Sequence, residues 1–219
     1  MIEARDLQFS HDGKTALKFP DFRCEPGEHC LLLGQSGSGK TTLLHLLAGL
    51  LRPSKGDVFI ENKSIGGMQQ AAIDQFRGQK IGIVFQQNHF IQALTVEENL
   101  LLAQQLAGLK PDRAHIFSLL KTLDISEKAR RLPKNLSVGE QQRAAIARAL
   151  VNRPAVILAD EPTSALDDKN AEEVIQLIEN QALATGSTLL IVTHDGRLKS
   201  HFSKKITLEN QQKPTAARP

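Results

Sequence analysis

The stretch HCLLLGQSGSGKTTLLHLLAGLL, residues 29–51, decides the fold of this 219-residue chain. It opens with a short apolar run that is typical of a buried β-strand, and a glycine-rich loop follows at once. The leucines beyond the loop recur at helical spacing. A strand, a glycine-rich loop and a helix in direct succession predict an α/β fold.

The loop GQSGSGKT, residues 34–41, matches the phosphate-binding pattern G-x-x-x-x-G-K-[ST]. Its glycines let successive backbone N–H groups point at a phosphate, and the start of the next helix adds partial positive charge. Lys40 brings a cation to the β- and γ-phosphates, and the Thr41 hydroxyl suits a position on Mg²⁺. The nucleotide-binding residues predicted in this loop are Gly34, Gln35, Ser36, Gly37, Ser38, Gly39, Lys40, Thr41 and Thr42.

A second element, VILADE at residues 156–161, is an apolar run that ends in two carboxylates. A run that is apolar on both faces suits a central strand of a parallel sheet, and such folds bind ligands at the carboxyl ends of their strands. We expect Asp160 to face the metal and Glu161 to polarise an attacking water. Two acids after a strand also fit a simple loop cap, but the phosphate loop in the same chain favours the catalytic pair.

The segment LSVGEQQR, residues 136–143, predicts the start of a helix. Ser137 is a good N-cap, and Glu140 three residues later completes a capping box. Val138 and Gly139 lie between them, so the N–H groups of the first turn stay open to approach. Because a bare helix N-terminus attracts anions, this segment is a second anion-binding element in the chain.

The rest of the chain alternates β and α segments, except in its middle. Strand-like runs occupy residues 2–9, 16–24, 29–34, 57–62 and 81–86. From about 88 to 152 helical patterns dominate, and strands return at 155–160 and 187–193 around a helix near 172–183. We therefore predict one domain, with a core at 1–87 and 153–209, a helical insert at about 88–152 and a frayed tail at about 210–219.

Composition and charge exclude several classes of protein. Hydrophobic residues make up 41% and charged residues 23% of the chain, which are ordinary values for a globular protein. The net charge of +3 is too small to indicate a nucleic-acid partner, and none is expected.

Features of the sequence also indicate the cellular compartment. Apolar runs are too short to cross a bilayer, and the first ten residues are charged where a signal peptide would be apolar. We therefore expect a cytoplasmic protein. Cys24 and Cys30, the two cysteines, flank a turn, and in that compartment a reduced pair is expected.

Taken together, these segments resemble the ATP-binding cassette of ABC transporters over nearly the whole chain. GQSGSGKTT is similar to the Walker A motif of that family, VILADE to its Walker B and LSVGEQQR to its signature, with Val138 where the family has a glycine. The resemblance implies a P-loop NTPase core of RecA-like type, an N-terminal antiparallel β-subdomain and a helical subdomain insert. It also implies ATP and Mg²⁺ as cofactors.

The family's remaining motifs imply further site residues. Gln86 in IVFQQ matches the Q-loop glutamine, Asp167 in SALD matches the D-loop, and His194 in IVTHD matches the switch histidine. The metal ligands implied are Thr41, Gln86 and Asp160. The catalytic residues implied are Glu161, His194 and Lys40, with Gln86 also sensing nucleotide and His194 contacting the γ-phosphate.

The resemblance further implies that two copies pair head to tail. Ser137, Gly139 and Glu140 of one chain then close over the nucleotide held by the phosphate loop of the other, with Asp167 nearby. One position departs from the family pattern: an aromatic residue usually stacks on adenine where this chain has His11, and it contains no tyrosine or tryptophan. Either His11 or Phe9 stacks on the base.

Segments that are less specific than the ATPase motifs, among them QKIGIVFQQ, LTVEENL and ADEPTSALD, resemble those of cassettes that power lipoprotein release and macrolide export. They imply an integral membrane permease as partner and a place on the cytoplasmic face of the cell membrane. Phe90 and Ile91 either dock onto that partner or pack inside the insert. The alternative function is a non-transport ABC ATPase that acts on nucleic acid or the ribosome.

Overall fold

The computed structural model describes residues 1–10, 16–164, 166, 168–194, 198–199 and 201–209, without the side chains of residues 168 and 169. In chain order, the strands and α-helices are β1 (Ile2–Ser10), β2 (Ala16–Lys18), β3 (Phe22–Cys24), β4 (His29–Gly34), α1 (Lys40–Leu47), β5 (Lys55–Ile60), β6 (Lys63–Ser64), α2 (Gln70–Lys80), β7 (Ile81–Val84), α3 (Val96–Leu106), α4 (Arg113–Thr122), α5 (Val138–Leu150), β8 (Val156–Asp160), α6 (Asp168–Thr185), β9 (Thr188–Thr193) and β10 (Lys204–Leu208).

The N-terminal strands form an antiparallel sheet. Its order is β2-β1-β5-β6, and β3 pairs with the other end of β1. The sequence predicts one strand over residues 16–24, whereas the structure has two short strands separated by Phe19, Pro20 and Asp21. Proline has no N–H to donate to a ladder, so the pairing with β1 is interrupted there.

The second sheet is parallel and carries the phosphate loop. Its order is β10-β4-β9-β8-β7, and every neighbouring pair runs parallel. Every residue of β8 and β9 is buried, as the apolar runs predicted for central strands. The α/β fold class with an antiparallel subdomain and a parallel core is therefore confirmed.

Two apolar clusters cover the two faces of the parallel sheet. Alternate side chains of a strand point to opposite faces, so Ile157 and Leu189 join the cluster beneath α3 to α6. Their neighbours Leu158 and Leu190 join the cluster shared with α1 and the antiparallel sheet. Each such fully buried side chain contributes about 1.5–3 kcal/mol. The sheet is thus held in place from both sides, and the loops at its carboxyl edge rest on a rigid base.

Residues 85–155 contain only helical regular structure, all of it described. Besides α3, α4 and α5 there are two short 3₁₀ turns, Ser126–Lys128 and Pro133–Asn135. Helix α3 begins after a capping box of Thr95 and Glu98, and α4 begins after its N-cap Asp112, whose side chain accepts the His115 N–H at 2.9 Å. These helices belong to the same apolar cluster as one face of the parallel sheet.

The structure pairs Cys24 with Cys30 as a disulfide, whereas the sequence predicts a reduced pair. That expectation considered only the compartment. In the fold, the turn at Pro26 and Gly27 reverses the chain between β3 and β4, and it brings the two Cα atoms to 6.9 Å from each other. Both side chains are fully buried.

Among the described residues, the helices are all too short or too polar to span a bilayer.

Candidate active site

A cavity of about 620 Å³ lies at the carboxyl edge of the parallel sheet. It gathers segments that are far apart in the sequence: the phosphate loop, the residues after β7 and the ends of β8 and β9. The residues that line it are Leu17, Ser36, Gly37, Gly39, Lys40, Thr41, Thr42, Gln86, Asp160, Glu161 and His194. All of these except Leu17 were predicted. Leu17 is an apolar residue of a three-residue strand, and nothing in its local sequence marks it as part of a site.

Gly34 and Gly39 show why the phosphate loop needs glycine. Gly39 has φ +89°, which side chains of L-residues strongly disfavour, and a Cβ there would lie 3.3 Å from the Phe19 ring. At Gly34, a Cβ would collide with Ser38 Oγ. Helix α1 starts directly after Gly39 with no side-chain cap, so its first N–H groups remain open to an anion.

Lys40 lies over the loop that precedes it. Its ammonium donates to the carbonyl oxygens of Gly34 at 2.7 Å and Gln35 at 2.9 Å. Ser38 is only 3% exposed, and its hydroxyl has no hydrogen-bond partner within the described residues. A buried hydroxyl without a partner is costly, and Ser38 is not among the described residues that line the cavity.

Asp160 is the last residue of β8 and is 6% exposed. Burial raises the pKa of its carboxyl group, the Thr41 hydroxyl hydrogen-bonds it and opposes that shift, and the charge of Glu161 adds to it. In the part of the chain that the structure describes, the Oδ1 atom has no partner. A buried carboxylate oxygen, a threonine hydroxyl and the Gln86 amide in one cavity are the hard oxygen ligands that Mg²⁺ prefers.

Glu161 is held by the end of β9. One carboxylate oxygen accepts the Thr193 hydroxyl at 3.0 Å, and the other lies 2.7 Å from His194 Nδ1 and accepts the His194 N–H at 3.1 Å. The register of β8 and β9 explains this contact, because Asp160 lies opposite Val192 and the next residues therefore meet. Thr193 is a site residue that sequence reasoning missed, and that register was the signal for it.

The His194 side chain is 70% exposed, whereas that of Glu161 is only 12% exposed. The imidazole therefore stands at the rim of the cavity with one ring nitrogen on Glu161. Within the part of the chain that the structure describes, its other ring nitrogen makes no hydrogen bond and could contact a group that enters from solvent.

The predicted capping box is present at the start of α5. Ser137 Oγ accepts the Glu140 N–H at 3.3 Å, and the Glu140 carboxylate accepts the Ser137 N–H at 2.8 Å. Lys128 lies 3.0 Å from the same carboxylate, and the Ser137 N–H and this lysine lower the pKa of Glu140. Nothing lies within 4 Å of a Cβ built on Gly139, and Val138 is 57% exposed. The first turn of α5 is thus an open surface, as predicted.

The structure does not bring the signature residues to the phosphate loop of the same chain. Ser137, Gly139 and Glu140 are absent from the described lining of the cavity. His11 and Asp167, two predicted nucleotide contacts, lie outside the described residues. Phe9, the alternative to His11, is 8% exposed and packs in the core cluster, so it offers no open ring face at the cavity.

The two residues considered for docking are separated by the fold. Phe90 is 8% exposed, and the Arg148 guanidinium lies 4.8 Å from its ring centre, so Phe90 is a core residue. Ile91 is 48% exposed.

Comparisons with known proteins agree with this geometry. A family model described as ABC transporter matches residues 17–164. An uncharacterized ABC transporter ATP-binding protein of Mycobacterium tuberculosis is 41% identical over 215 residues, which cover 95% of this chain and 87% of that protein. The lipoprotein-releasing system ATP-binding protein LolD of Idiomarina loihiensis is 38% identical over 209 residues, or 94% of this chain and 92% of LolD.

Solved structures show the same fold over nearly the full chain. The dimeric structure of MJ0796, a bacterial ABC transporter cassette, superposes with a TM-score of 0.87 at 34% identity, covering 96% of this chain and 95% of that one. A dimeric post-hydrolysis state of MJ0796 bound to ADP and Pi gives a TM-score of 0.85 at 33% identity, covering 97% of each chain. The chain therefore belongs to the ABC transporter family, as one of its ATP-binding subunits and an ATPase.

Proposed function

We propose that the 620 Å³ cavity holds ATP with Mg²⁺ and that each of its polar side chains has a separate task. The observation that carries the proposal is the convergence of Lys40, Gln86, Asp160, Glu161 and His194 on one cavity from four segments of the chain. Lys40 moves from the loop carbonyls to the β- and γ-phosphates. Thr41, Gln86 and Asp160 are the proposed Mg²⁺ ligands, and the metal would neutralise charge that develops on the phosphates.

Glu161 is the proposed general base. Its carboxylate is nearly buried and is oriented by Thr193 and His194, so it points in a fixed direction when a water approaches the γ-phosphate. His194 is exposed on its other side and is proposed to contact the γ-phosphate. Because the acid and the imidazole share a hydrogen bond, the position of one depends on the other.

The complete site is proposed to form only between two copies of the chain. The start of α5 is an exposed surface whose only cap comes from its own Ser137 and Glu140 among the described residues, and it lies outside the cavity that its own phosphate loop forms. Pairing head to tail would bring Ser137 and Gly139 of one copy to the nucleotide of the other, with Glu140 folded back and Asp167 nearby. The dimeric state of MJ0796 supports this arrangement.

The work driven by hydrolysis is proposed to take place in an integral membrane permease. A groove of about 480 Å³ runs between α2, β7, α3 and the end of α5, directly beside the segment that follows β7. Leu106, which is 76% exposed, and Leu50, which is 42% exposed, border it together with Phe85 and Arg77. An exposed apolar rim next to Gln86 suits a cytoplasmic helix of the permease, and it supports the proposal that this chain works on the cytoplasmic face of the membrane.

The substrate class is proposed from the relatives. LolD is named as part of a lipoprotein-releasing system, and this chain is 38% identical to it over most of both chains. Export or lipoprotein release from the membrane is therefore the proposed work.

The mechanism is tested by comparing Glu161→Gln with Lys40→Ala. Glu161→Gln is expected to bind ATP, to accumulate as a dimer and to release phosphate at least about a hundredfold more slowly, because the base is lost while the phosphate contacts remain. Lys40→Ala is expected to lose ATP binding itself. Light scattering after gel filtration, nucleotide binding and phosphate release give the three readouts. A Glu161→Gln protein that stays monomeric with ATP and turns over normally would rule the mechanism out.

A further inference from the structure

Arg148 makes an unusual set of contacts near the end of α5. Its two terminal nitrogens donate to the carbonyl oxygens of His89 at 2.8 Å and Asn88 at 2.6 Å. The same guanidinium lies 4.8 Å from the centre of the Phe90 ring. Three consecutive residues of the segment after Gln86 are thus held by one side chain of α5.

This arginine is partly buried, and its contacts among the described residues include no carboxylate counter-ion. Burial lowers the pKa of Arg148, and its contacts among the described residues are two carbonyls and a ring, with no carboxylate. Desolvating a guanidinium for carbonyl dipoles alone is a weak source of stability, since an apolar side chain of similar volume often does as well. The arrangement therefore calls for a reason other than the stability of the fold.

A second clasp holds the far side of the same segment. Asn99 on α3 is 4% exposed, accepts the Ile91 N–H at 3.0 Å and donates to the carbonyls of Ile91, Leu94 and Thr95. Gln86 is one of the few residues between the end of β7 at Val84 and the backbone that Arg148 and Asn99 hydrogen-bond. Arg148 and Asn99 thus anchor the backbone shortly after Gln86, which itself lines the cavity.

We propose that Arg148 is a positioning residue that ties Gln86 to the helix whose first turn is the signature. Ser137 caps α5 at one end and Arg148 grips the Gln86 segment from the other end of the same 13-residue helix. A shift of α5 toward a partner copy then moves Gln86 within its own cavity, and displacement of Gln86 by nucleotide moves the signature turn. This inference rests on the proposed role of Gln86 in holding Mg²⁺ with ATP.

The planar fork of arginine is essential to this link. The two terminal nitrogens of a guanidinium can donate to two carbonyl oxygens on adjacent residues at the same time. A lysine has one ammonium nitrogen, so it cannot hold both carbonyls in the same fixed geometry. Arg148→Lys should therefore keep the charge and the stem but hold the segment loosely. Arg148→Met should keep the packing against Phe90 and lose both hydrogen bonds.

The test compares steady-state ATP hydrolysis by Arg148→Met, Arg148→Lys and the control Arg113→Met. Arg113 is an exposed arginine on α4 that pairs with Glu97. A misplaced contact costs on the order of a hundredfold in rate, so we expect kcat to fall by that factor in Arg148→Met and about tenfold in Arg148→Lys. The KM for ATP should change by less than about threefold, because the phosphate loop is untouched. The control should match the wild type.

A double substitution separates positioning from loss of fold. In a Gln86→Ala background, Arg148→Met should lower kcat by less than about twofold, because the group through which it acts has already been removed. A full additional loss in that background, or an unchanged kcat in both single variants with melting temperatures equal to the control, would overturn the inference.

Hydrogen exchange gives a readout that does not depend on turnover. In the Glu161→Gln protein with Mg²⁺ and ATP, amides of residues 85–91 and of the first turn of α5 should gain protection together. With Arg148→Met added, residues 85–91 should keep their gain while the first turn of α5 loses it. If both segments are protected together with and without Arg148→Met, the proposed link between Gln86 and the first turn of α5 is refuted. If instead the wild-type chain binds ATP but does not hydrolyse it, the proposed function is refuted, and the exchange result still decides whether the link exists.

Discussion

Asp160 is an acidic residue whose side chain is almost fully shielded from solvent. The residue is 6% exposed, and burial raises the pKa of its carboxyl group against the opposing effects of the Thr41 hydroxyl and the charges of His45 and Lys40. A chain selected for stability alone would not keep an acid here. The cost is consistent with a residue retained for a cation that arrives with the nucleotide.

Asp160→Asn is therefore expected to stabilise the chain when Mg²⁺ and nucleotide are absent. A carboxyl group whose pKa is raised by folding loses its proton first in the unfolded chain, so stability falls as the pH rises from the unfolded to the folded pKa, and the penalty is complete above both. The variant lacks this step, and its melting temperature at neutral pH should be higher, by ~2–4 °C for each kcal/mol of relief. Mg²⁺-dependent hydrolysis should be lost.

Thermal melts from acid to neutral pH measure this effect. The matched control is Asp124→Asn, an exposed aspartate outside the cavity. A melting temperature for Asp160→Asn equal to that of the control across the whole pH range would show that burial of this carboxylate costs nothing.

At the scale of single elements, α3 and α5 provide a natural comparison. Both begin with a capping box, Thr95 with Glu98 in one and Ser137 with Glu140 in the other. Local sequence is enough to define both helix starts, because a capping box uses only residues within one turn. The two caps do the same structural work but lie in different surroundings.

Ser137→Ala and Thr95→Ala should cost about the same stability and differ in activity. Each loses one cap, about 1 kcal/mol, and so a few degrees of melting temperature. We expect Ser137→Ala to lower ATP hydrolysis at least about tenfold as well, because its hydroxyl would meet the nucleotide held by a second copy. Phosphate release and melting temperature, measured on both variants, check this. An equal fall in hydrolysis for the two would assign Ser137 a purely structural role.

Elements that depend on distant partners were harder to predict. β6 has two residues and β10 has five, of which two are lysines, so neither has the apolar run of a central strand. β10 forms only because β4 offers a free edge, and that edge exists only after the sheet assembles.

At the scale of the whole molecule, the groove beside Gln86 offers a test of the membrane partner. Leu106 and Leu183 are both exposed leucines on helices, but only Leu106 borders the groove. Leu106→Asp should reduce the amount of permease that copurifies from membranes at least about tenfold, since a charge on an apolar interface residue leaves it desolvated and unpaired. Leu183→Asp should copurify as much permease as the wild-type chain does.

ATP affinity of both purified variants, measured in parallel, guards against misfolding. Equal recovery of the permease with Leu106→Asp and Leu183→Asp would place the docking surface elsewhere on the chain. Loss of ATP binding in Leu106→Asp would mean that the residue supports the fold rather than the interface.

Much of the site was determined by sequence alone, because its motifs are local. The phosphate loop, the acids after β8 and the capping box of α5 each lie within eight or nine consecutive residues, and their chemistry follows from residue type and spacing. The fold class followed from the same short segments.

Tertiary structure alone decided what these motifs share. The register of β8 and β9 brought Thr193 and His194 to Glu161, packing made Phe90 a core residue, and a turn between two sheets joined Cys24 to Cys30. Arg148 reached the Gln86 segment across about sixty positions of sequence. Such contacts join residues whose local sequences carry no signal of each other, because the distance between them is fixed only when the sheet and its two apolar faces have packed.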